Sequence, residues 1–251
     1  LLGSIRLIND MLKMEEANEE KAEFMSFASH ELRSPLTVIK GYSSMLLDGS
    51  FGEISPDVRD SAQKILMKAN VAISLIGQYL NKSKVELNQL TYNFGVFDFG
   101  DLTRSVANEY HHNAEQANIK LFYMTDNKAP YFTNGDEGKL REVVANILDN
   151  SIKYTPEGSV NIFLSRDQDK ILLKISDTGL GMSAESKEML FKKFSRLRSA
   201  EKAKILGTGL GLYLAHTFIK AHNGRIWAES EGEGMGSTFY LELNYYKEEK
   251  V

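Results

Sequence analysis

Between Met25 and Leu46 the apolar positions keep helical time. At about 100° per residue, Met25, Ala28, Leu32, Leu36, Ile39, Ser43 and Leu46 all fall within roughly 40° of one line. That stripe predicts a long amphipathic helix with its apolar side buried. Upstream, Ile5, Ile8, Leu12, Glu15, Glu19 and Ala22 carry a 3–4 spacing back to about residue 4. The seam fades in Glu15-Glu16-Ala17-Asn18-Glu19-Glu20, so a weakly packed coiled coil is expected there, of a kind suited to shifting register. The helix should run to about Leu47, where Asp48-Gly49-Ser50-Phe51-Gly52 breaks it. Ser55 is a good N-cap and Pro56 suits the first helical position, so a second helix starts there. Its apolar face is Ile65, Leu66, Ala69, Ala72, Ile73, Ile76 and Leu80. The result is a helical hairpin with two broad stripes. Two helices alone bury only a thin seam, so pairing of two hairpins into a four-helix bundle, a homodimer, is expected.

Beyond the hairpin the period changes. Ser83 to Asn93 reads as a polar connection, Phe94 to Phe99 as extended, and 102–117 as a helix. Strands are expected over 119–125, 160–165, 171–176, 224–229 and 237–243, from alternation and β-branched enrichment. Helices over 137–153, 186–194 and 211–222 are interleaved. This mixture predicts an α/β sandwich, with helices on one face of a largely antiparallel sheet. The expected division is a linker helix over 1–22, the helical hairpin over 23–90 and the sandwich over 91–251.

Length and composition narrow the classes. The 251 residues suffice for two ordinary domains, and 42% hydrophobic with 25% charged is a globular composition. The formal charge of −4 argues against a nucleic-acid partner, which usually requires a basic excess. The absence of cysteine removes disulfides, thiolate metal sites and a cysteine nucleophile together. His111-His112 is the only adjacent pair among five histidines, and no HExxH accompanies it, so it reads as helix surface. No run approaches the roughly 18 apolar residues of a membrane span, and no signal peptide is visible. The chain opens Leu1-Leu2-Gly3-Ser4 rather than with methionine, so it is expected to be a piece of a longer protein.

Candidate chemistry begins on the first helix. His30 lies roughly 160° from Leu32, on the polar face. Glu31 can accept from one ring nitrogen, fixing the tautomer and sharpening the other nitrogen as a nucleophile. Pro35 removes the donor for the Glu31 carbonyl, so a bend is expected there. The stretch Phe27-Ala28-Ser29-His30-Glu31-Leu32-Arg33-Ser34-Pro35-Leu36-Thr37 resembles the H box of sensor histidine kinases of two-component systems. There the histidine accepts a phosphoryl group, so an ATP site should follow downstream.

Such a constellation follows. On the helix over 138–154, Leu140, Ile147, Leu148 and Ser151 cluster around Val144, while Asn146, Asn150 and Lys153 share the opposite side. Asparagine oxygens suit Mg²⁺, and a lysine answers phosphate charge. Asp177-Thr178-Gly179-Leu180-Gly181 follows an apolar strand; its aspartate can accept from an exocyclic amine, and its glycines can admit a base. Phe191-Lys192-Lys193-Phe194-Ser195-Arg196 comes next. Then Gly207-Thr208-Gly209-Leu210-Gly211-Leu212 opens a helix whose N–H groups can meet phosphate. No parallel βαβ unit precedes it, which rejects a dinucleotide fingerprint.

In this order the elements resemble the N, G1, F and G2 boxes of the histidine-kinase ATP-binding domain, of the GHKL superfamily that includes gyrase and MutL. The resemblance covers the chain from His30 onward. It implies a catalytic core made of a dimerisation and phosphotransfer hairpin followed by a GHKL-type ATPase sandwich. It implies that ATP and Mg²⁺ bind, with Asn150 as the principal metal ligand and Asn146 beside it. Lys153 and Tyr154 would lie near phosphates and sugar. Asp177 would bond the adenine amine, with Gly179 and Gly181 shaping that pocket. Phe191, with Arg196 or Arg198 on the γ-phosphate side, would belong to the lid region, Met182–Leu206. Gly207, Thr208, Gly209, Leu210 and Gly211 would border the phosphates.

The implied activity is ATP-dependent phosphorylation of His30, then transfer to an aspartate of a response-regulator receiver domain. Related hydrolysing ATPases place a water-activating glutamate where this chain has Asn146, so water should be spared as acceptor. Ser34 stands where phosphatase-competent relatives usually have threonine or asparagine; weak regulator phosphatase activity is expected. A cytoplasmic core, lacking its upstream sensor domain, is implied, with membrane attachment of the full-length protein left open. Two other readings remain at this point, a nucleotide-binding scaffold without transfer and a GHKL ATPase doing mechanical work.

Overall fold

A computed structural model describes residues 2–87, 89–128, 130–193 and 209–247, with side chains from Phe24 onward. The chain forms two compact units, Leu1–Thr91 and Tyr92–Val251.

The first unit is a helical hairpin. Helix α1 spans Leu2–Leu47 and continues through Pro35. Gly49 and Gly52, at φ 85° and 91°, turn the chain. Ser55 then caps helix α2 (Pro56–Glu86), accepting from the Val58 N–H. Helix α2 runs past Ser83, where a polar connection is expected from sequence. Ser83 is buried and Lys82 pairs with Glu86 one turn on, so the last turn is held on both sides. The buried side chains of the hairpin are small: Ser29, Ser43, Ala62, Ala69 and Ser83. They let the helices approach but cover little. The expected burial of the apolar stripe therefore fails within one chain: Leu32 is 55% exposed, Ile39 43% and Ile65 49%.

The second unit is an α/β sandwich. Strands β2 (Ile119–Thr125), β4 (Gly158–Asp167), β5 (Lys170–Asp177), β6 (Arg225–Glu229) and β7 (Ser237–Asn244) form one sheet in the order β2-β4-β5-β7-β6. Neighbours are antiparallel except β2 and β4, which are parallel. Strands β1 (Gly95–Asp98) and β3 (Phe132–Gly135) make a separate antiparallel pair. Helices α3 (Phe99–Gln116), α4 (Glu137–Lys153) and α6 (Gly211–Ala221) supply the second layer, and α5 (Ala184–Met189) is a short addition.

Period-two burial builds the core. Val160, Ile162 and Leu164 of β4, Ile171, Leu173 and Ile175 of β5, and Leu241 and Leu243 of β7 are all buried. They share that core with Val106, Leu140, Val144, Leu148, Leu214 and Phe218 of the helices. On the other sheet face Trp227 stacks on Tyr240 at 4.9 Å. Helix α3 starts at Phe99 because the Asp98 carboxylate accepts from the Gly100 N–H. The short helix α5 ends at Met189, well before the expected 194.

His222 ties the end of α6 to the start of α4. Its Nε2 accepts from the Asp136 N–H at 2.8 Å, and its Nδ1 donates to the Phe218 carbonyl at 2.6 Å. Both bonds together require the neutral ring, and burial pushes its pKa below the ordinary 6.5. A lowered folded pKa means stability that is full above 6.5 and is lost as pH falls. Trp227, the single tryptophan, reports on this unit. Its fluorescence should show thermal midpoints that drop below pH 6.5 in the parent chain and drop less in His222→Gln; parallel curves would dismiss His222 as the cause.

Candidate nucleotide and phospho-acceptor sites

Helix α4 divides as its sequence demands. Leu140, Val143, Val144, Ile147, Leu148 and Ser151 are buried, while Asn146, Asn150 and Lys153 lie together on a half-buried face. Asp136 caps the start, accepting from the Lys139 N–H at 3.0 Å, and Tyr154 ends it. The buried Asn146 Nδ2 has no partner among the described residues. An amide's two ends exchange by a flip, so this is an unmet polar contact for a ligand to satisfy. The residue types fit a hard cation, since Asn146 and Asn150 offer oxygen.

The first turn of α6 meets the same face. A Cβ on Gly211 would stand 3.0 Å from Asn146 Oδ1, so glycine keeps that approach open. Gly209 has φ 68°, and Leu210, fully buried, has no side-chain group to cap the helix. Among the described residues no side chain caps this helix start, as an anion site requires.

Asp177 ends β5 and is 8% exposed. Its Oδ1 accepts from the Gly179 N–H and from the Ser237 N–H, both at 3.0 Å. Burial raises its pKa above the usual carboxylate range; the two backbone bonds and the nearby Ser151 hydroxyl offset only part of that. The Ser151 Oγ is buried and short of hydrogen-bond geometry with any described residue. A desolvated carboxylate at a strand end is a strong acceptor for an N–H donor in a ligand.

The glycines beside Asp177 have a different immediate cause from the one expected. They are packed by the protein's own backbone rather than left open for a base. A Cβ on Gly179 would lie 2.3 Å from the Tyr154 carbonyl oxygen. On Gly181, at φ 65°, it would lie 2.0 Å from the Gly232 carbonyl oxygen. These contacts bolt the Asp177 turn to the end of α4 and to the β6–β7 loop. Phe191 packs against His216 of α6 at 5.7 Å. Arg196, Arg198, Gly207 and Thr208 lie outside the described residues, as does much of the expected lid. The sequence places Ser151 on the buried side of its helix without a role and does not single out Ser230 and Ser237, for which the alternating glycines at 232, 234 and 236 are the available signal.

In the hairpin unit, the His30 side chain is 81% exposed. Its Nδ1 lies 3.3 Å from Glu31 Oε1, leaving Nε2 open. Ser34, one turn along α1, is exposed.

Comparison with known families agrees with this division. Residues 135–247 match the model of histidine kinase-, DNA gyrase B- and HSP90-like ATPases. Residues 20–88 match the His Kinase A (phospho-acceptor) domain. The chain is a histidine-kinase catalytic core. This kinase core is 33% identical over 93% of its length to the circadian input-output histidine kinase CikA of Synechococcus elongatus, and 30% identical over 99% to the sensor histidine kinase WalK of Bacillus subtilis. It spans only 31% and 40% of those proteins. Among solved structures, the histidine kinase AdeS of Acinetobacter baumannii aligns at TM-score 0.59 with 26% identity, covering 87% of the kinase core and 98% of that chain. Full-length ShkA shares the fold at TM-score 0.69 and 22% identity, over 90% of the core and 46% of that chain. No helix among the described residues is long and apolar enough to cross a membrane.

A raised folded pKa means that ionised Asp177 costs stability at neutral pH, with its contribution full only below 3.8. Asp177→Asn keeps an acceptor for Gly179 and Ser237 and removes the buried charge. The variant should melt at or above the parent temperature by calorimetry while binding ATP at least about tenfold more weakly. Equal nucleotide affinity would remove Asp177 from the site.

Proposed function

We propose that this core binds Mg²⁺-ATP in the second unit and transfers the γ-phosphoryl group to His30, then onward to an aspartate of a response-regulator receiver domain. The observation that carries the reading is the pairing of two features in one chain. One is the exposed His30, with Nδ1 held by Glu31 and Nε2 open. The other is an ATPase-type site around the buried Asp177. We divide the chain into a linker helix over 1–22, a phosphotransfer hairpin over 23–90 and an ATP-binding domain over 91–251.

Each residue then has a task. Asp177 accepts from the adenine amine. Asn150 and Asn146 would hold Mg²⁺ through their side-chain oxygens, and the ion would supply charge neutralisation to the phosphates. Lys153 and Tyr154 approach phosphates and sugar. Gly207, Thr208, Gly209, Leu210 and Gly211 are assigned to bordering the phosphates, which the N-terminus of α6 suits. Phe191, Arg196 and Arg198 serve the lid. At His30, the Nε2 lone pair attacks the γ-phosphorus, an N–P bond forms, and the bond from phosphorus to the ADP oxygen breaks. The ring gains positive charge, which Glu31 stabilises as it takes the Nδ1 proton. Asn146 is no general base, so water is a poor competitor.

The exposed Leu32, Ile39 and Ile65 support a homodimeric bundle, since a second hairpin would cover them. Ser34 is assigned to orienting water during dephosphorylation of the regulator, with the looser rotamer of serine relative to threonine.

Incubation with Mg²⁺ and γ-labelled ATP should give protein-bound label that is lost in acid, survives alkali and is absent from His30→Ala. Label persisting in His30→Ala, or none in a parent chain that binds ATP, contradicts the assignment. With a labelled receiver domain added, Ser34→Ala should slow phosphate release severalfold relative to the parent; equal rates would relieve Ser34 of that role.

A further inference from the structure

The loop joining β6 to β7 carries one hydroxyl on which several backbone groups converge. Ser230 Oγ accepts from the Met182 N–H at 3.0 Å and from the Gly232 N–H at 3.3 Å. It lies 2.7 Å from the Gly236 carbonyl oxygen and 3.1 Å from that of Gly232. A hydroxyl has one proton, and the shorter contact assigns it to Gly236. The same peptide unit that begins at the Gly236 carbonyl ends at the Ser237 N–H, and that N–H donates to Asp177 Oδ1 at 3.0 Å. One peptide plane therefore has its oxygen held by Ser230 and its hydrogen held by Asp177. Hydrogen bonds in such a chain polarise one another.

The surroundings leave that plane little freedom. A Cβ on Gly236, at φ 68°, would meet the Asp177 carbonyl oxygen at 2.1 Å, so the loop lies directly on the Asp177 turn. The Gly236 N–H donates to the Gly179 carbonyl at 3.1 Å, and the Gly234 N–H to the Leu180 carbonyl at 2.7 Å. Lys187 Nζ holds the Ser230 carbonyl at 3.1 Å. Both backbone donors reach the same carboxylate oxygen, Oδ1, and the Ser151 hydroxyl stands beside the carboxylate as well.

We infer that Ser230 is a positioning residue for nucleotide specificity: through the Gly236–Ser237 peptide it sets the orientation of the Asp177 carboxylate, and so the preference for a base bearing an exocyclic amine. The bond to Met182 extends the same hold to the residue that follows the Gly179–Gly181 turn. The inference rests on reading Asp177 as the base contact. The assigned role is one of positioning, through that peptide.

The test compares Mg²⁺-ATP with Mg²⁺-ITP, whose base carries oxygen in place of the amine, by calorimetric titration of the full chain. The parent should prefer ATP. In Ser230→Ala that preference should fall about tenfold, through weaker ATP binding with ITP affinity unchanged. Ser230→Thr, which retains the hydroxyl, should restore it. Should the alanine variant fail to fold, Ser230→Cys keeps the shape with a weak donor and should show the same loss. An unchanged preference in Ser230→Ala or Ser230→Cys, beside a parent that prefers ATP, overturns the role of Ser230 and leaves Asp177 standing. Equal weakening of both nucleotides assigns Ser230 to general loop stability and overturns the inference. A parent without preference overturns the reading of Asp177 and this inference with it.

Discussion

A carboxylate removed from water is the constraint on which the second unit turns. Ionised groups are costly to bury unless donors replace the lost hydration. Asp177 receives two backbone N–H groups on one oxygen, which lowers the cost without cancelling it. Those donors come from opposite sides, Gly179 just after the carboxylate and Ser237 from the far end of the β6–β7 loop. Delivering them requires close backbone approach, and that explains glycine at 179, 181 and 236, where a Cβ would collide with carbonyl oxygens. The residual desolvation is what makes the group a strong acceptor for an amine.

The hairpin unit follows the opposite logic. His30 there is exposed, with Glu31 beside its Nδ1. A nucleophile that, as proposed, meets both a nucleotide and a regulator gains from accessibility, whereas the proposed base contact gains from exclusion of water. The small residues along the α1–α2 seam, and the large ones left exposed beside it, make the hairpin an incomplete object on its own. In the proposed reading a second copy completes it.

Legibility in the sequence tracked how directly a residue's chemistry shows in its spacing. The long helix, the proline-started second helix and the interleaved strands could be read because their apolar periods are long and regular. Asp177, Asn146 and Asn150 stand out in the sequence as polar residues at a strand end or on one side of an amphipathic helix, and the structure places them there. Strand β3 escaped because it has four residues, follows Pro130 and earns its pairing only from β1. The last turn of α2 escaped because Ser83 is polar yet buried by packing. Ser230 and Ser237 do not show in the sequence for a similar reason: what matters is where a hydroxyl or N–H points after a loop has folded. The spacing of the glycines at 179 and 181 does not reveal their tight neighbours, which are backbone atoms.

The most direct test of this account is the titration of the Asp177 carboxyl carbon, followed by NMR in chain labelled at aspartate and assigned by Asp177→Asn. Without nucleotide its midpoint should lie above 3.8, and a bound adenine nucleotide should draw it down as the amine donates to it. A midpoint at or below 3.8 in the free protein, or one that ATP leaves in place, would contradict the claim that a desolvated Asp177 reads the base.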